Sequence, residues 1–177
     1  MRKFELFSKL KLNTQTCVSN VPRVLYKQER DWTCSIACIR TLLSNVSDNV
    51  LSEDEFISIF KLAPSPYYSK DIKSLCILSN IDVVYGCDFD EVTFDTVLDY
   101  LSTGYYVMVE CMINYAHWLV LLGYFPVCNN NVEASELLLY DPYYDKVRLV
   151  NVDEFVSMWI DGDYGNTNVK CDFIAIK

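Results

Sequence analysis

Histidine is all but missing from this chain: His117 stands alone among 177 residues. A metal site built on histidines is thereby excluded, and the cysteines do not replace them. No Cys-x-x-Cys pair occurs, and Cys34, Cys38 and His117 together leave a tetrahedral site one ligand short. No metal is expected. Glycine is scarce as well: Gly86, Gly104, Gly123, Gly162 and Gly165 stand singly and form no phosphate-cradling loop. Long apolar runs are absent, none approaching the ~18 residues of a membrane helix. Residues 1–12 break every apolar pair with a charge or Ser, so no signal-peptide core is expected. Positive charge is in deficit, with 15 Lys and Arg against 24 Asp and Glu and a formal net charge of −9. That balance argues against a nucleic-acid backbone or an anionic membrane as partner and favours a neutral or basic peptide. No segment repeats and none is of low complexity.

The length suits one domain spanning residues 1–177, with residues 1–20 as an N-terminal arm. Eight cysteines (17, 34, 38, 76, 87, 111, 128, 171) are scattered singly in a chain long enough to need no staples. Reduced thiols in a cytoplasmic setting are expected, with export by a non-classical route as the alternative. Residues 13–27 read as an extended arm, with Val21 to Tyr26 as a short strand or loop that delivers Gln28. A helix of about three turns begins at Cys34, its apolar face formed by Ile36, Ala37, Ile39, Leu42 and Leu43, and Thr33 or Asp31 is placed to cap it. Ser52 and Glu55 form a capping box for a second helix, Leu51 to Leu62. A third helix runs from Ser69 through Leu78, and Thr93 caps a fourth, Phe94 to Leu101. Strands are expected at Ile81 to Tyr85, Tyr105 to Cys111, His117 to Tyr124, Glu136 to Tyr140, Lys146 to Val150 and Cys171 to Ile176, with a helix at Val152 to Ile160. Helices first and an antiparallel sheet second make an α+β fold.

The chemistry-bearing stretch is Gln28 to Cys38, where a charged segment runs into a cysteine at a helix start. A thiol in the first turn of a helix lies against unpaired backbone N–H groups and the positive end of the macrodipole, and both favour thiolate. His117 opens one strand and Asp141 closes the next, so antiparallel pairing brings the carboxylate beside the imidazole, with the other ring nitrogen facing Cys34. The polar segment Pro126 to Ser135 joins these two strands. Taken singly, a helical Cys is core packing, a lone His an ordinary half-buried residue and Asp-Pro a turn. It is their order, each at the end of an element, that points to a site.

That order resembles the papain-like C39 peptidases: Gln28, five residues, Cys34 at a helix start, a His opening a strand, then Asp141-Pro142 after the next strand. Within that group the sequence is most similar to the C39-like proteins named for a guanylyl cyclase domain. The stretches that carry the similarity are Asp31 to Cys38, His117 to Tyr124 and Asp172 to Ile176, and it spans residues 22–177. It departs from the pattern at Ser35, where the family has Gly, and at Thr33, which separates Asp31 from Cys34; a Cβ at residue 35 narrows the approach to the Cys34 N–H. The resemblance implies a C39-type papain fold, N-terminal helices packed on a C-terminal antiparallel sheet. It also implies Cys34 as nucleophile, His117 as general base, Asp141 as orienting residue and Gln28 as side-chain donor to an oxyanion hole. Such a donor is worth ~2.7 to 4 kcal/mol in acyl transfer.

The function expected is a cysteine peptidase or amidase acting on a peptide or protein substrate through an acyl-enzyme, with no cofactor. Trp32, Ser35, Trp118 and Tyr143 are the expected substrate-binding residues, with Tyr67, Tyr68, Tyr115 and Tyr144 as further rings of a peptide groove. One alternative is a non-catalytic peptide-binding module or effector on the same fold. A lesser one is nucleotide cyclisation, for which Asp88, Asp90 and Glu91 offer only an open surface loop to a divalent ion.

Overall fold

The run Ala116 to Phe125 carries apolar residues on both of its faces, as a strand covered on one side does not need. The computed structural model, which describes residues 18–112, 116–126, 135–159 and 171–177, shows both faces covered. Among the described residues the strands are β1 (Val18–Ser19), β2 (Val83–Tyr85), β3 (Tyr106–Met112), β4 (Ala116–Phe125), β5 (Glu136–Asp141), β6 (Lys146–Asn151) and β7 (Phe173–Ile176). They form one seven-stranded sheet of order β2-β7-β3-β4-β5-β6, with β1 paired to β4, and every pairing is antiparallel. The helices are α1 (Cys34–Leu43), α2 (Glu53–Phe60), α3 (Ser69–Ser74), α4 (Phe94–Ser102) and α5 (Val152–Met158).

Side-chain alternation along the strands sorts the core into two layers. On one face Met108, Trp118, Val120, Leu122, Leu138, Tyr140, Ile174 and Ile176 meet Ile36, Ile39 and Leu42 of α1 and Phe56 of α2. On the other, Val107, Val109, Leu119, Leu121, Leu137, Leu139, Phe173 and Ala175 meet Val97 and Leu101 of α4 and Phe155 of α5, followed by Trp159. The α+β class is as expected, and α1 lies across β4 and β3. The helices, however, are divided between the two faces, because α4 and α5 present their apolar residues to the odd-numbered positions of β3 and β4.

Local signals account for most element ends. Ser52 Oγ accepts from Glu55 N at 3.3 Å and the Glu55 carboxylate accepts from Ser52 N at 2.7 Å, the expected capping box. Thr93 Oγ1 accepts from Thr96 N at 3.3 Å at the start of α4. The cap expected of Thr33 on α1 is absent; its hydroxyl turns instead to Arg30 O at 2.9 Å. Two helices are shorter than expected: α2 ends where Lys61 enters the left-handed region, and α3 ends at Ser74, just before Cys76 does the same. Most of the N-terminal arm, the polar stretch 127–134, Tyr115, Cys17, Cys128, Ile160, Gly162 and Gly165 lie outside the described residues; Val18 and Ser19 of the arm pair with Tyr124 and Gly123 of β4.

Candidate functional site

The polar residues of interest lie at the ends of their elements, Cys34 at the start of α1. His117 is the second residue of β4 and Asp141 the last of β5. Val120 pairs with Tyr140, so Asp141 lies diagonally from His117 on neighbouring strands, within reach of a side-chain contact. His117 Nε2 stands 3.0 Å from Asp141 Oδ1, both side chains buried. The imidazole is also hydrogen-bonded to Cys34, which leaves Nδ1 as the nitrogen facing the thiol. Cys34 is the first residue of α1, nine of whose ten residues are buried, and it keeps partial exposure. Thiol, imidazole and carboxylate thus form one hydrogen-bonded series.

Electrostatics follow from this placement. Burial disfavours charge on His117, but the hydrogen bonds to Asp141 and Cys34 outweigh it and raise the imidazole from 6.5 to about 9. Burial opposes the Asp141 charge too, and the His117 bond together with the backbone N–H groups of Tyr144 and Tyr143 still lowers it. Those N–H groups reach Oδ1 at 3.4 and 3.0 Å, while Arg148 Nη2 lies 3.6 Å from Oδ2. Cys38 and Cys111, both buried, are held well above the ordinary thiol range, first by desolvation and then by the neighbouring negative groups. Of the three thiols gathered here, Cys34 alone reaches solvent.

Gln28 is buried, and its backbone N–H donates to Pro142 O at 3.1 Å, tying the segment before α1 to the turn that follows Asp141. Its Nε2 donates to Arg30 O at 2.7 Å; the reverse orientation would set two carbonyl oxygens together. An amide nitrogen carries two protons, so one remains for another acceptor. Trp32 and Tyr67, half-buried, lie with ring centroids 6.5 Å apart, and Tyr143 packs edge-on against Tyr144 at 5.0 Å, with both rings exposed. Arg148 stacks 4.7 Å over Tyr144.

Three groove assignments need correction. Trp118 is 2% exposed because alternation places it with Val120 and Leu122 beneath α1, and its Nε1 donates to Tyr67 O at 2.7 Å. Ser35 is likewise 2% exposed, its side chain in the packed interior, and Tyr68 is buried. Sequence reasoning missed Arg148 and Glu53. The first carries no motif; the second is a glutamate in the acidic first turn of α2, where a solvated charge is the ordinary reading. Among the described residues no group of three or more His, Cys, Asp or Glu is arranged to hold a metal ion.

A Cys helix laid across an antiparallel sheet, with His and Asp on adjacent strand ends beside it, defines the papain-like α+β fold of C39-type peptidase domains. Among solved structures the chain is similar to the crystal structure of the peptidase domain of Streptococcus ComA, a bifunctional ABC transporter involved in a quorum-sensing pathway. The TM-score is 0.57 at 18% sequence identity, over 86% of this chain and 95% of that one. No protein-family model matches the sequence, and no curated protein does. No helix among the described residues is long and apolar enough to cross a membrane.

Proposed function

We propose that this chain is a papain-like cysteine hydrolase that cleaves a peptide or amide bond, residues 1–177 acting as one domain. The observation that carries the reading is the hydrogen-bonded series from Cys34 through His117 to Asp141, with the Gln28 backbone fastened to the turn after Asp141. In this mechanism His117 takes the Cys34 proton and Asp141 stabilises the imidazolium. The thiolate adds to the substrate carbonyl carbon, and the oxyanion is held by the Cys34 N–H and the second Gln28 amide proton. The imidazolium then protonates the leaving amine, and water resolves the thioester. A peptide running between Trp32 and Tyr67 on one side and Tyr143 and Tyr144 on the other meets the aromatic groove.

Reduced thiols suit a cytoplasmic setting, and Cys34, Cys38, Cys76, Cys87 and Cys111 are free thiols. The finer similarity to the proteins named for a guanylyl cyclase domain rests on sequence stretches alone and adds no cyclase step.

The test is alkylation by iodoacetamide followed by peptide mapping. Exposed Cys76 and Cys87 serve as internal references. Cys34 is expected to react faster than both at pH 7, and His117→Ala to slow it on the order of tenfold. A Cys34 no more reactive than the references, unchanged in His117→Ala, would overturn the hydrolase reading in favour of a non-catalytic peptide-binding module.

A further inference from the structure

We infer that Glu53, on α2 and outside the series at Cys34, is the positioning residue for the Gln28 amide; the inference rests on the hydrolase reading above. The loop from Gln28 to Thr33 is wound around one carbonyl. Arg30 O accepts from Gln28 Nε2 at 2.7 Å, Thr33 Oγ1 at 2.9 Å and Thr33 N at 3.2 Å. This knot shapes the loop but does not fix it to the body of the molecule. The Gln28 N–H to Pro142 O and the Glu53 carboxylate do, alongside the Glu29–Arg40 and Arg30–Asp54 ion pairs.

Glu53 accepts the Glu29 N–H with both oxygens, at 3.0 and 3.1 Å, with Arg30 Nη1 at 3.9 Å. It thus holds residue 29, next in the chain to Gln28, and residue 30, whose carbonyl takes the Gln28 amide. The peptide plane between Gln28 and Glu29 sets the direction of the Gln28 side chain, so the grip on Glu29 N is a grip on the amide.

The burial of Glu53 needs an explanation, and helix capping does not supply it. Ser52 and Glu55 already cap α2, and next along the helix Asp54 is 74% exposed at its side chain, whereas the Glu53 side chain is 0% exposed. Burying a carboxylate is costly unless it is hydrogen-bonded and paired. Here its hydrogen-bond partners all belong to the Gln28 loop. Glu29 meanwhile spends its own carboxylate on Arg40 at 3.1 Å, fastening the same loop to α1.

Two reactions of one thiolate separate positioning from general damage. Iodoacetamide is attacked at its saturated carbon and iodide leaves, so no oxyanion forms. With 4-nitrophenyl acetate the thiolate adds to the carbonyl carbon, an oxyanion forms and collapses, 4-nitrophenolate leaves without needing a proton, and S-acetyl Cys34 results. The full chain is used, with the Cys34→Ala rate subtracted. Glu53→Gln, which keeps one acceptor oxygen and loses the charge, is expected to lower Cys34 acetylation about tenfold to hundredfold, towards the Gln28→Ala rate. Alkylation should stay within about twofold.

If Glu53 acts through Gln28, the double variant Glu53→Gln/Gln28→Ala acetylates no more slowly than Gln28→Ala. Acetylation unchanged in Glu53→Gln, both reactions falling in proportion, or additive losses in the double variant would each overturn the inference. Where Glu53→Gln does not fold, Glu53→Asp, one methylene short of Glu29 N, gives the same comparison. A wild-type Cys34 that alkylates no faster than Cys76 would instead overturn the hydrolase reading itself.

Discussion

His117 binds its proton more tightly in the folded chain than a free imidazole does, about 9 against 6.5. Since the folded value is the raised one, the stabilisation is fully present below pH 6.5 and is lost as the pH climbs through 9. Wild-type stability in urea should fall across that window. In His117→Ala that fall should be absent, and a variant retaining the wild-type slope would place the titration elsewhere. Residues of this kind are legible in a sequence because a polar group at the end of an apolar run has little else to do; Cys34, His117 and Asp141 each occupy such a place. Glu53 is not legible, since nothing in an acidic first turn says which carboxylate is buried. Trp118 misleads for a similar reason: its neighbour His117 meets Asp141, while the indole packs beneath α1.

At the scale of elements, caps are local chemistry and read well, as at Ser52 and Thr93. What ends α3 at Ser74 is a left-handed Cys76, which no side-chain signal announces. The junction of β2 with β7 is also set by a contact between distant residues. Asp172 Oδ2 accepts the Ser69 N–H at the start of α3 at 2.7 Å, and Gly86 packs against the same carboxylate. A Cβ on Gly86 would lie 2.7 Å from Asp172 Oδ1 and 2.8 Å from Phe173 N, neither of which yields readily. Gly86→Ala should therefore cost about 1–3 kcal/mol, seen as a lower Tm, with Cys34 reactivity retained at temperatures where the chain is folded. An unchanged Tm would mean that β2 shifts freely against β7.

For the whole molecule, an α+β chain with an antiparallel sheet is legible from the shift of hydrophobic period near residue 105, but the strand order is not. Order depends on pairings between distant residues, and β7 takes a place between β2 and β3 that no local pattern specifies. Phe173 and Ala175 join the layer under α4 and α5, while Ile174 and Ile176 join the layer under α1. Deleting residues 171–177 should therefore abolish cooperative thermal unfolding, read by circular dichroism, and with it the enhanced alkylation of Cys34. A truncated chain that still melts cooperatively would show that β3 to β6 fold without their neighbour.

The position of β7 also bears on timing. During synthesis the thiol emerges more than eighty residues before the imidazole, and the strand that fills the gap in the sheet comes after both. A chain still on the ribosome holds Cys34 without His117, and then both without the sheet that aligns them. The growing chain therefore lacks the aligned set of Cys34, His117 and Asp141 until β7 has been made.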